Sequence, residues 1–115
     1  MNRLTEEQWA ILKAHEDRNY VATVQVDIVR DYPWLADDPK LNARLNEAYA
    51  RTRELGFTLD GPTIDFLYLE ATTPGFYLLP DIAAWLDKPG APGEQRFETL
   101  LQVTRKKQQE QKENH

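Results

Sequence analysis

AYARTRELGFTLDGPTIDFLYLEATTPGFYLLPDIAAWLDKPGAPGEQRFETLL, residues 48–101, decides the fold. It divides into AYARTRELGF (48–57), IDFLYLEAT (64–72), PGFYLLPDIAAWL (74–86) and GEQRFETLL (93–101). Within each block apolar residues recur at helical spacing, and a glycine or proline closes it. Short helices packed around one small core follow, so the fold expected is all-α: a compact single-domain bundle of about five to six short helices.

Working outward, the most secure helix carries Leu41, Leu45, Ala48, Thr52 and Leu55, and Gly56 closes it where a left-handed cap costs least. Asp37-Asp38-Pro39 marks its start, an aspartate ahead of a proline being suited to a first turn. After Phe57, either Thr58 or Asp60 caps the next helix, with Pro62 in its first turn. Ile64, Leu67, Tyr68 and Ala71 share one face of that helix and Phe66 and Leu69 occupy others, the pattern of a central element. A short helix follows Pro80 with Ile82, Trp85 and Leu86 inward. The last helix starts near Pro92 or Glu94 and turns Phe97, Leu100 and Leu101 to one side, with Val103 nearby.

Toward the N-terminus, Thr5 and Gln8 have capping-box spacing, Leu4 and Trp9 that of a hydrophobic staple, and Glu6 and Glu7 suit the first turn. That helix is expected to run through Leu12 to about Glu16. Residues 19–30 alternate as a strand does at Tyr20, Ala22, Val24, Val26 and Ile28, yet Val21, Val24 and Ile28 also form a helical face. A strand needs a partner and the chain holds no second alternating run, so a helix ending before Pro33 is expected. Residues 1–104 read as one helical domain, and residues 105–115 as a polar tail that frays or extends the last helix.

A chain of 115 residues with net charge −5 is of single-domain size and repels nucleic-acid phosphate. Its only basic cluster is Arg105-Lys106-Lys107, with Glu110 and Glu113 after it. No apolar run nears the ~20 residues that span a bilayer, and MNRLTEEQW lacks a signal-peptide core, which points to the cytoplasm. Neither serine nor cysteine occurs, removing the two commonest protein nucleophiles. His15-Glu16-Asp17 holds the only internal histidine, but successive helix residues diverge, and a solvated face explains the trio better than a metal site. Asp37-Asp38 lacks the spacing of a calcium loop. Asp60, Asp65 and Glu70 are scattered, and no phosphate-binding glycine motif is present. The expectation is therefore a chain that is not an enzyme, with no catalytic, metal or cofactor-binding residues and no nucleic-acid or membrane partner.

Aromatic residues offer the other kind of site. Pro74-Gly75-Phe76-Tyr77 is a turn carrying two aromatics; Phe76 either folds back onto the core, the favoured reading, or stands out as an anchor. Trp34 either plugs the end of the bundle or joins Tyr32 and Leu35 in a patch for a partner. Tyr32, Trp34, Leu35, Phe76, Tyr77 and Trp85 are the candidate partner-binding residues. The Leu41–Leu55 seam packs either within the chain or against a second copy, leaving a homodimer open.

The order of blocks in residues 48–101 resembles small helical accessory proteins encoded beside type VI secretion effectors and effector adaptors. The resemblance is carried by Leu55-Gly56-Phe57, the helix from Thr58 to Ala71, Gly75-Phe76, the stretch Pro80 to Leu86, and Arg96 to Leu101. These are packing and turn motifs over about half the chain. The resemblance implies a binding role: chaperone, co-chaperone or adaptor accessory in effector loading, with a secretion effector or adaptor as partner. The alternative is an immunity protein that occludes a toxin's active site, for which the acidic balance suits a phosphate-binding target.

Overall fold

A computed structural model describes residues 5–113, with side chains through residue 106. It is all-helical, a compact bundle with no strand among the described residues. The order is α1 (Glu6–Asp31), a 3₁₀ turn (Pro33–Asp37), α2 (Leu41–Glu54), α3 (Asp60–Thr72), a second 3₁₀ turn (Phe76–Leu78), α4 (Pro80–Asp87) and α5 (Gly93–Glu113).

α1 begins with the expected capping box. Gln8 N–H donates to Thr5 Oγ1 at 3.1 Å and Thr5 N–H donates to Gln8 Oε1 at 2.9 Å. Leu4, the other half of the expected staple, lies outside the described residues. Where the sequence suggested two helices there is one, since neither glycine nor proline interrupts residues 16–19 and Lys13 pairs with Asp17 across a turn at 3.5 Å. The alternating stretch is helix: Val21, Val24 and Ile28 are buried, while Ala22 and Val26 face outward.

α2 packs antiparallel to α1, Tyr20 lying 5.0 Å from Tyr49 and Asn42 donating to Gln25 at 2.8 Å. The seam Leu41–Leu45–Ala48–Thr52 is buried within the chain. The left-handed cap forms at Gly56, φ 82°, with Phe57 N–H donating to Thr52 O at 2.9 Å and Gly56 N–H to Arg53 O at 3.1 Å. At the other end Lys40, not Asp37 or Asp38, holds the N-cap position; Asp38 acts two residues earlier, accepting from Lys40 N–H at 2.9 Å.

α3 is the central element, touching α1, α2, α5 and the second 3₁₀ turn. Neither Thr58 nor Asp60 caps it. The carboxylate of Glu94, on α5, accepts from Leu59 N–H at 2.8 Å and Thr58 N–H at 3.1 Å. Gly93 makes that approach possible, because a Cβ there would stand 3.0 Å from Leu55 Cβ. Phe66 occupies the middle of the core, ringed by Phe57, Phe76, Tyr77 and Phe97 at 4.9–5.6 Å. Beyond Arg105 the chain continues as helix to Glu113.

The molecule measures 66 × 40 × 23 Å, because both terminal helices reach past the bundle. Residues 6–16 of α1 include no buried or half-buried side chain.

Candidate partner-binding surface

The apolar character of α3 exceeds what its inward face can use. Phe66, Leu67 and Ala71 are buried, leaving Tyr68 and Leu69 half-buried along its flank beside Leu100 and Leu101 of α5. Tyr68 is fixed by its hydroxyl, which donates to Asp31 Oδ2 at 2.7 Å and ties α3 to the last turn of α1. Burial first, and then that bond, push the Tyr68 phenol up to about 12; the same bond and a second from Arg30 at 3.2 Å hold the Asp31 carboxyl below the usual range. The ring of Tyr32 stands edge-on to Tyr68 at 6.2 Å and to Trp34 at 5.3 Å, an aromatic step from the core out to solvent.

Two adjoining grooves open along this flank. One, about 310 Å³, is lined by Tyr32, Asp65, Tyr68, Leu69, Thr72, Leu101, Thr104 and Arg105. The other, about 260 Å³, runs between the end of α3 and α4 and is lined by Leu69, Thr73, Phe76, Leu79, Ile82, Leu100, Leu101 and Thr104. They share Leu69, Leu101 and Thr104, so they adjoin as one trough, mainly apolar toward α4 and mixed toward Tyr32, where Asp65, Thr72 and Arg105 line it. Trp34, 66% exposed, lies beyond Tyr32 at one end, and Leu79, 53% exposed, lines the other.

The six residues singled out in the sequence divide three ways. Tyr32 and Trp34 lie together at the surface beside the trough; Trp34 does not plug the bundle end. Leu35, Phe76 and Tyr77 are buried, so Phe76 folds back onto the core, and none of the three offers exposed contact area. Trp85 is half-buried and tied up within the chain: its Nε1–H donates to Arg96 O at 2.9 Å, and the Arg96 guanidinium covers its ring at 4.7 Å. Arg96 also donates to Lys88 O at 2.8 Å and Pro89 O at 2.6 Å, closing the loop between α4 and α5. Leu69, Leu79, Leu100 and Leu101 were not singled out as site residues. The signal in the sequence was the leucine doublets at 78–79 and 100–101, of which Leu78 and Leu79 are both exposed and Leu100 and Leu101 both half-buried; nothing marked Leu69.

A different groove, between α1 and α3, is lined by Glu16, Asn19, Tyr20, Thr23, Val24, Asp27, Asp60 and Ile64, three carboxylates without a basic residue. The Tyr20 hydroxyl donates to Asp60 Oδ1 at 3.1 Å, and burial with that bond pushes its phenol up to about 12. Among the described residues no group of three or more histidine, aspartate or glutamate side chains is placed to hold a metal ion, and no helix is long and apolar enough to cross a membrane. No protein-family model, no curated protein and no solved structure matches this chain.

Proposed function

We propose that this chain is a non-enzymatic protein-binding module of the cytoplasm, and that the trough between α3, α4 and α5 is where its partner docks. The observation that carries the reading is the continuity of the trough from Tyr32 to Leu79, through Tyr68, Leu69 and Leu101, with an exposed tryptophan beside Tyr32. A tryptophan free on one side and held edge-on by a tyrosine is pre-ordered for contact, which lowers the entropy lost on binding. A trough of this kind accepts the apolar stripe of an amphipathic helix, with residues at i, i+3, i+4 and i+7 entering between Leu69 and Leu101. Asp65 and Arg105 on its lining give the entering helix a preferred direction. Joined to the resemblance of residues 48–101, the reading is a chaperone, co-chaperone or adaptor accessory that holds a type VI effector or its adaptor.

Affinity purification from the source cell, with the native chain against Trp34→Ala and Leu79→Glu, tests it. Both positions are exposed, so the fold is retained, and the variants are expected to bind a secretion effector or adaptor at least tenfold more weakly. Recovery of no secretion-associated protein, or equal recovery by all three chains, overturns the proposal. The acid-lined groove between α1 and α3 supports a second reading, an immunity protein whose carboxylates take the place of phosphate in a basic toxin site. Co-expression separates the two: an immunity protein rescues cells from the neighbouring toxin, whereas a loading chaperone does not.

A further inference from the structure

α1 is apolar on two opposite sides, and the bundle covers only one of them. Val21, Val24 and Ile28 face the core. On the outer side Leu12, His15, Asn19, Ala22, Val26 and Val29 follow one another at spacings of 3, 4, 3, 4 and 3, the alternation of a coiled-coil seam. All but the half-buried Val29 are exposed, Val26 at 69% and Leu12 at 44%. Ala22, Val26 and Val29 also border a shallow groove with Gln25 and with Asn42 of α2. The first turns of α1 are exposed throughout, and they carry Trp9, Ile11 and Leu12.

We infer that this outer seam pairs antiparallel with the same seam of a second copy. The seam is complementary to itself in one register. Leu12 then faces Val29 of the second copy, His15 faces Val26, and Asn19 faces Ala22, each pair recurring through the two-fold axis. Along the flanks, Glu16 faces Thr23, Arg18 faces Gln25, and Trp9 faces Arg30, whose guanidinium is held by Asp27 and Asp31 of its own helix, so no like charges face each other across these pairs. The acidic first turn, Glu6 and Glu7, is brought toward the other helix's last turn, where Arg30 is its basic residue. Antiparallel pairing also lays the unsupported start of one α1 beside the bundle-held half of the other, covering exposed surface on both. Leu12 to Val29 spans about 26 Å at 1.5 Å per residue, a contact near or below the ~800 Å² per partner of a standard interface, so the dimer is a weak one.

The chain has no cysteine, which makes the register directly testable. Asn19→Cys and Ala22→Cys, mixed under mild oxidation, are expected to crosslink to each other in preference to either with itself, because only facing positions bring the Cα atoms within disulfide range. Sedimentation of the native chain is expected to show a monomer–dimer equilibrium in the micromolar range. Val26→Glu should weaken it at least tenfold and leave the thermal melt unchanged, while Trp34→Ala should leave it intact and so keep this seam distinct from the trough. A monomer at every concentration up to roughly 1 mM, preferential Asn19→Cys self-crosslinking, crosslinking indifferent to position, or a dimer untouched by Val26→Glu would each overturn the inference.

Discussion

Among the described residues Glu70 is the one carboxylate with almost no exposed surface, 3%, and two groups of the chain, Arg44 and the Gly75 N–H, converge on it. Arg44 Nη1 lies 3.5 Å from its Oε1 and donates to its backbone carbonyl at 2.8 Å, while Gly75 N–H donates to Oε2 at 2.8 Å. Through Arg44 it is joined to Asp38, 2.6 Å from Nη2, so one guanidinium ties the start of α2 to the end of α3. The two acids respond oppositely. The Arg44 guanidinium, followed by the Lys40 N–H, holds the Asp38 carboxyl below its usual range, whereas burial outweighs these partners at Glu70 and pushes it up. A raised carboxyl value means the folded state binds the proton more tightly than the unfolded one. Glu70's contribution is then fully present below about pH 4.3, the ordinary glutamate value, and lost as pH rises through its higher folded value. Glu70→Gln removes that titration but retains an acceptor for Gly75 N–H. Melting curves across this window should show the native chain losing stability relative to Glu70→Gln as pH rises. A difference that stays flat or runs the other way would mean that Arg44 outweighs burial.

At the scale of elements, the helices that local signals define were readable, and those that depend on a distant residue were not. Gly56 ends α2 because the turn conformation is written in a single residue, and the capping box at Thr5 and Gln8 likewise lies within four positions. The continuity of α1 was hidden because polar residues 15–19 resemble a connection, although nothing among them breaks a helix. The cap of α3 was hidden for another reason: Glu94 reaches it from 35 residues along the chain. That carboxylate sits in the first turn of α5 and at the start of α3, so the positive ends of two helix dipoles meet on one charge. Glu94→Ala is expected to cost about 1–2 kcal/mol in denaturant unfolding, with Glu94→Gln losing less because it keeps an acceptor. Hydrogen exchange should locate the loss at the amides of Thr58 and Leu59, and unchanged protection there would rule out the cap.

For the whole molecule, the all-helical bundle was legible from spacing alone, but which aromatics face inward was not. Trp34 and Phe76 both follow turn residues and look alike in sequence; one is 66% exposed and the other 3%. The difference arises from Phe66, against which Phe76 stacks at 4.9 Å once the turn returns the chain to α3, while nothing comparable waits for Trp34. Phe66 also gathers Phe57 from the α2–α3 link and Phe97 from α5, so segments far apart in sequence meet on one ring. Removing it leaves a cavity that no single neighbour can fill. Phe66→Ala is expected to cost about 3–5 kcal/mol. A chain of 115 residues has roughly 6–17 kcal/mol in all, so the loss is a large fraction of the total. The melting temperature should fall by roughly 10–30 °C, whereas Trp34→Ala, which gives up only exposed surface, should leave it within a few degrees. A Phe66→Ala variant that loses less than about 1 kcal/mol would show that the surrounding rings collapse into the space, and that the core is not organised around this residue.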